Sequence, residues 1–366
     1  MEVKQLKDVC DISKGTQING DELLETGFPF FNGGIKQSGY WKESNVPANS
    51  ISISEGGNSC GFVNYQKEPF WCGAHCYYLY NLKLDSKYLY YNLKGRQNDL
   101  MNLRTGVCMP NIKKTDLQNF KIHIKDDKTQ NEIVEVLDNI NAVIDADKKQ
   151  LELYDELIKS RFNEMFGDLV SKQENRKKID DIAFVTKLAG FEFTQYIKYK
   201  TSGDIIMLRG LNCKNGKLVL DDIKWIDKAT SNLLPRSQLS KGDILMTYAG
   251  TIADVAVVPE DNKFHLAPNV AKICINNKEE IDPIFLVNLF MMTKEYILSF
   301  ASTVAQPSIN MEKIRNFEYS IPAIKEQKMF ASFVQQIDKS KFIVQKHLDL
   351  MNELLEKKME EYFGGK

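Results

Sequence analysis

Two regimes of hydrophobic patterning alternate along the chain. In the first long periodic stretch, Ile133, Leu137, Ile140, Ile144, Leu151, Tyr154, Ile158 and Met165 recur at four- and three-residue steps, the seam of a heptad helix. Phe330, Val334, Ile337, Val344, Leu348, Met351, Leu355 and Tyr362 repeat the pattern near the end. Each predicted helix spans roughly 36 residues, about 54 Å at 1.5 Å per residue. Both stop at a Phe-Gly pair, where glycine permits a left-handed cap. Asp147 and Arg161 interrupt the first seam, and Lys341 and Lys358 the second, so opposite charges could meet if the helices pack together. A lone amphipathic helix ordinarily covers its own domain's core. Two matched ones sustained over several heptads favour a mutual coiled coil.

The matching extends beyond the seam. Residues 109–168 align without a gap on 306–365 at a constant separation of 197, as between Pro110 and Pro307, Ile112 and Ile309, Gln130 and Gln327, or Phe166 and Phe363. Register held over about 60 residues marks an internal repeat. Before each helix lies a region of strand-like alternation with many turn signals. These two regions are only distantly alike: Leu6, Asp8, Val9, Ile12 and Lys14 find counterparts in Ile179, Asp181, Ile182, Val185 and Lys187 at a separation of 173. The change from 173 to 197 places extra residues in the second region. The expected class is therefore α+β, with mixed, strand-rich domains over 1–125 and 176–324, long helices over 126–168 and 325–366, and a linker over 169–175. A chain so built has near two-fold internal symmetry, which suits a bipartite DNA target.

At 366 residues more than one domain is expected. The balance of 43% hydrophobic and 27% charged residues is that of an ordinary soluble protein, and no apolar run approaches the roughly 18 residues that span a membrane. The opening MEVKQLKDVCD lacks the apolar core of a secretory signal. Seven scattered cysteines suit a reducing compartment, so the cytoplasm is expected. A net charge of −1 disfavours a small, uniformly basic DNA-coating protein but leaves room for local basic patches.

The order of domains and helices resembles the specificity subunits of type I restriction-modification systems, over nearly the whole chain. Residues 239–251 (LSKGDILMTYAGT) resemble the family's Gly-Asp-Ile-Leu strand and small-residue turn; residues 49–63 (NSISISEGGNSCGFV) keep the strand and turn but lose the Gly-Asp pair. Residues 321–327 (IPAIKEQ) resemble the family's Ile-Pro-x-x-x-x-Gln approach to its helix, and 124–130 (IKDDKTQ) keep the Gln but lose the Pro. The resemblance implies two target-recognition domains, each reading half of a split sequence in double-stranded DNA, and an antiparallel helix pair holding them apart. It also implies partners: two methyltransferase subunits, and two motor-nuclease subunits in the restriction complex.

The sequence offers no chemistry of its own. The Asn/Asp-Pro-Pro-aromatic loop of a DNA methyltransferase and the Gly-Lys-Ser/Thr of a Walker loop are absent. Asp282-Pro283 reads as a turn before a helix, and Asp221-Asp222 as a solvated turn. Cys72-Gly-Ala-His-Cys76, read as a strand, puts both cysteines on one face and His75 on the other, with no second ligand pair nearby. No catalytic residue, cofactor or metal is expected. Base edges are read mainly by Arg, Lys, Asn, Gln, Ser and Thr, so loops rich in these are the candidates. In the first domain they offer Lys36, Gln37 and Tyr40, then Lys94, Arg96, Gln97, Asn98 and Arg104. In the second they offer Gln306, Ser308 and Asn310, with Arg209, Asn212 and Lys214, and the aromatic-basic run Lys198, Tyr199 and Lys200. The competing reading is a coiled-coil adaptor whose domains bind proteins and make no sequence-specific DNA contact.

Overall fold

The computed structural model describes residues 2–106, 110–302 and 307–364. The chain divides into two compact units, Met1–Gln150 with Val344–Lys366, and Leu151–Ile343.

In the first unit, strands β1 (Glu2–Gln5), β2 (Asp11–Lys14), β3 (Phe28–Phe31), β4 (Gly39–Trp41), β5 (Ser50–Ser54), β6 (Val63–Gln66), β7 (Trp71–Cys72), β8 (Cys76–Tyr80) and β9 (Lys121–Ile124) form three sheets. The principal sheet has order β2-β8-β5-β6, the second β4-β3-β7, and β1 pairs with β9. Helices α1 (Leu6–Val9), α2 (Ser86–Gly95), α3 (Gln97–Met101) and α4 (Lys114–Gln118) precede the long α5 (Asp127–Phe166). Central strand β5 (SISIS) is buried on both faces. Ile51 and Ile53 enter the main core. On the other face Ser52 accepts from Gln66 (3.0 Å) and Ser54 donates to Gly33 (2.5 Å), so the buried hydroxyls are satisfied.

The second unit contains β10 (Arg176–Lys178), β11 (Ala183–Lys187), β12 (Ile205–Leu208), β13 (Cys213–Lys214), β14 (Lys217–Leu218), β15 (Lys224–Ile226), β16 (Gln238–Leu239), β17 (Ile244–Thr247), β18 (Val255–Val257), β19 (Phe264–Leu266), β20 (Val270–Ile275) and β21 (Glu318–Ser320). Its helices are α6 (Ile179–Ile182), α7 (Gly190–Tyr196), α8 (Lys228–Leu233), α9 (Pro283–Met292), α10 (Lys294–Leu298) and α11 (Met311–Arg315), and the long α12 (Ile324–Phe363) begins in it; like α5, α12 has residues in both units. The principal sheet, β11-β20-β17-β18, repeats the order of the first unit's; the second sheet, β15-β12-β19-β16, repeats its parallel pair and adds a strand. The separation between equivalent residues widens from 177 at Phe31/Leu208 to 193 at Glu55/Tyr248. The residues added there form the β13–β14 hairpin and α8.

The two long helices are packed together, and each is 40 residues long, one helical turn longer than the periodicity predicts. Within the first unit Ile133 and Leu137 share a core with Phe363, while Asp147 Oδ2 lies 2.8 Å from His347 Nδ1, so the segments run antiparallel. The second unit repeats this: Phe162 meets Phe330, and Lys341 pairs with Asp155 at 2.5 Å. The interrupting charges at 147 and 341 are thus paired across the helices, though not with each other. Gln130 and Gln327 donate to the carbonyls of Lys125 and Pro322 (2.7 and 2.8 Å), closing the approach to each helix in the same way. Gly167 takes the expected left-handed conformation (φ 62°). Gly364 does not; its N–H instead closes the last turn onto Glu360. Among the described residues no helix is long and apolar enough to cross a membrane.

Candidate nucleic-acid interface

In each unit several loops converge at the C-terminal end of the central strand. In the first, the backbone N–H of Glu55, just past β5, donates to His75 O (2.9 Å), and Glu55 O accepts from Ile112 N (2.9 Å). In the second, Tyr248 N donates to Asn269 O (3.0 Å) and Tyr248 O accepts from Ile309 N (2.8 Å). The repeated Pro-x-Ile element closes the frame in both, through bridges from Asn111 to Gly56 and from Ser308 to Ala249. The lysine ending the first strand completes it. Lys14 pairs with Glu55 (2.7 Å), and the Lys187 ammonium lies 5.2 Å from the Tyr248 ring centroid.

The loop after β3 reaches this frame in the first unit. Gly33 O accepts from Ser54 and Ser59 (2.5 and 2.7 Å), and Gly33 holds φ +87°, with His75 O 2.2 Å from where a Cβ would stand. Only glycine fits so close an approach. Lys36 and Gln37 extend from this loop as exposed residues, and Arg104 flanks the bridge between Thr105 and Asn111. The corresponding loop of the second unit carries Arg209. Its Nη2 lies 3.0 Å from Asp222 Oδ2. The Tyr199 hydroxyl is pushed up by burial and partly offset by the charge of Arg209.

Several of the other candidates make contacts within the fold. Gln97 accepts from Val63 N (3.0 Å) and donates to Gly61 O (2.5 Å). Lys94 donates to Val63 O (3.2 Å), with its ammonium 3.7 Å from the Phe62 ring centroid and its pKa pushed down to about 8 by burial. Together they fasten the turn after β5 to α2 and α3. Arg96 lies over Phe120 and donates to Lys121 O. Asn212 is fully buried, donating to Val219 O (2.8 Å) and Asp222 O (3.1 Å). Asn310 caps α11, accepting from Lys313 N. Tyr40 is half-buried on β4, and Asn98 is exposed on α3. Lys200 pairs with Asp227 (2.5 Å); Lys198 and Lys214 are exposed. Gln306 lies outside the described residues. Of the frame residues Lys14, Glu55, His75 and Asn111, Lys14 is marked in the sequence by its pairing with Lys187 at the 173-residue separation and Asn111 by its place in the repeated Pro-x-Ile element, while Glu55 carries no signal of its own.

Residues 72–76 do not form the expected single strand: Gly73–His75 turn between β7 and β8. Both cysteines are buried with Val46 and Phe70, and His75 is exposed. Among the described residues no group of three or more His, Cys, Asp or Glu could hold a metal ion.

A duplicated α+β unit with loops gathered at one sheet end, combined with paired long helices, defines a class of two-domain recognition proteins. The chain belongs to the type I restriction modification DNA specificity family, whose domain model matches residues 1–153 and again 172–353. The specificity subunit of the type I restriction enzyme MjaVIII from Methanocaldococcus jannaschii is 23% identical over 393 residues, covering 100% of this chain and 92% of that protein. A candidate type I specificity subunit of Mycoplasma pneumoniae is 32% identical over 163 residues, 41% of this chain; that match spans 43% of the Mycoplasma protein's own length. The crystal structure of a type I restriction-modification S subunit from M. genitalium superposes over 100% of this chain and 96% of that one, with a TM-score of 0.60 at 19% identity.

Proposed function

We propose that this chain is the non-catalytic DNA-reading subunit of a type I restriction-modification complex in the cytoplasm. Residues 1–125 and 176–324 are its two target-recognition domains, 126–168 and 325–366 its helices, and 169–175 the linker. Each domain reads one half of a bipartite site in double-stranded DNA. Two methyltransferase subunits supply the chemistry on the bases, and two motor-nuclease subunits join for restriction. No cofactor of its own enters this reading. The observation that carries it is the repeated frame: both units gather backbone-fixed loops with a lysine at the same strand end, and the family model matches both. A basic residue beside rigid polar loops suits the division of labour at DNA, where phosphate contacts position and base contacts specify. Co-expression with candidate methyltransferase subunits and genome-wide mapping of methylated bases tests it. A split motif is expected, of which one half alone changes when residues 1–125 are exchanged for another family member's. Change in both halves or in neither overturns the reading.

A further inference from the structure

The two frames hold equivalent backbone but different side chains. Glu55 and Tyr248 occupy the same position, each with its N–H and C=O bonded to the neighbouring turn and to the Pro-x-Ile element. The lysine beside them is common to both, as Lys14 and Lys187. DNA presents phosphate everywhere and bases differently in each half-site. A group shared by the two frames therefore fits the invariant backbone, and a group that differs fits the variable base edge.

Glu55 is built for one kind of edge. Its Oε1 accepts from Lys14 (2.7 Å) and lies 3.1 Å from the Tyr77 hydroxyl, whose single proton is shared between it and Ile112 O (3.2 Å). Burial and the neighbouring carboxylate push the Tyr77 hydroxyl up, so it stays a donor. The Glu55 side chain is only 12% exposed and its backbone is tied on both sides. Oε2 faces the exposed His75 at 3.9 Å, and among the described residues no donor lies within hydrogen-bonding distance of it. A nearly buried carboxylate with one oxygen saturated and the other open toward the rim is a preorganised acceptor. Lys14 offsets its charge against the phosphates.

Resting on the DNA-reading role above, we propose that Glu55 and Tyr248 are equivalent specificity-determining residues. Glu55 accepts a hydrogen bond from the exocyclic amino group of a cytosine or adenine in the major groove. Carboxylates take the cytosine amino group there, and a mismatched base pair in a recognised site costs about 1–3 kcal/mol, roughly 5- to 150-fold. Tyr248 has no carboxylate to offer and presents its ring and hydroxyl, so the second half-site carries a different requirement at the matching position.

The test uses the chain assembled with its methyltransferase subunits, selecting bound duplexes from a randomised library and sequencing them. Wild type should show an amino-bearing base at one position of one half-site, its identity separating cytosine from adenine. Glu55→Gln should reduce the preference at that position alone by roughly 10-fold or more, because the amide offers donors as well as an acceptor. Tyr248→Ala should change one position of the other half. An unchanged motif in a bound E55Q complex overturns the proposal. So does loss of preference across a whole half-site in a chain whose melting midpoint is unaltered, since that marks a scaffolding residue. If E55Q unfolds, Y248A alone decides: a change at more than one position, or at none, sinks it. A wild-type complex without any bipartite motif would instead refute the DNA-reading role itself.

Discussion

The two globular units solve one architectural problem with different materials. In both a central strand of the principal sheet has one face turned away from the main core, but the first lines that face with serines hydrogen-bonded to Gln66 and Gly33. The second uses Leu245, packed with Ile206, Leu208, Phe264 and Leu266. The second sheet of the first unit has a small core around Val46, Phe70, Cys72 and Cys76, whereas that of the second rests on two larger clusters. The same contrast recurs where the helices anchor. Phe162, Phe166, Phe285 and Phe330 interlock in the second unit. At the 197-residue separation their first-unit counterparts are Met359, Phe363, Tyr88 and Ile133, of which Tyr88 and Phe363 make the ring contact. The backbone frame is thus held constant while its filling varies, which lets the two loop clusters diverge without moving the elements that carry them.

The largest test of that contrast lies in these anchors. Phe330→Ala should cost about 3–5 kcal/mol, because it removes a fully buried ring from a cluster of three others. Ile133→Ala removes fewer atoms and should cost less, toward the lower part of the roughly 2–5 kcal/mol range. Denaturant unfolding of both variants measures this. Equal losses, or the reverse order, would show that the first unit's anchor is as tightly filled as the second's.

A smaller difference separates the polar pairs in the helix seams. Asp147 is 7% exposed and bonded to His347, while Asp155, paired with Lys341, has a side chain 67% exposed. Asp147→Ala should therefore lose about 1.5–3 kcal/mol, as for a hydrogen bond to a charged group. Asp155→Ala should lose between about 0 and 1 kcal/mol, as exposed pairs do. Double-mutant cycles with His347→Ala and Lys341→Ala give the two coupling energies; a larger coupling at 155–341 would invert the assignment.

Much of this design is legible in the sequence because it is periodic. The heptad seams identify both helices, and the repeat identifies their equivalence. The repeat in fact reaches further back than residue 109: Asp85 and Asp282, also 197 apart, both cap the helix that follows by accepting two backbone N–H groups. The loop cluster is harder to read. Lys14 and Glu55 are 41 residues apart in the chain, and a contact between single residues at that distance leaves no local pattern. Loop composition alone does not separate two uses of one residue type, since an amide that satisfies buried backbone resembles one that reads a base. Gln97 and Asn212 do the former, whereas Lys36 and Gln37 remain exposed at the frame.

The finest test exchanges one unit's solution for the other's at a single position. Lys94, near the end of α2, corresponds through the 197-residue separation to Met291 near the end of α9. Both face the hairpin side of their sheet: Lys94 lies over Phe62, and the Met291 sulfur approaches Gly216. Burial lowers the pKa of Lys94 to about 8, against about 10.4 for a lysine in the unfolded chain. Between those values the unfolded state binds more protons, so the contribution of this residue to stability rises with pH across that window. Below about pH 8 the full cost of burying the ammonium is present, opposed by its bonds to Val63 O and Gln97 Oε1. Lys94→Met carries no such titration. The stability of the variant relative to wild type should therefore be greatest near pH 7 and decline toward pH 10, whatever its absolute sign. Denaturant unfolding of both proteins at the two pH values decides it. A difference that stays constant with pH would mean that the ammonium remains hydrated at its site, and that the polar and apolar solutions at this position are energetically interchangeable.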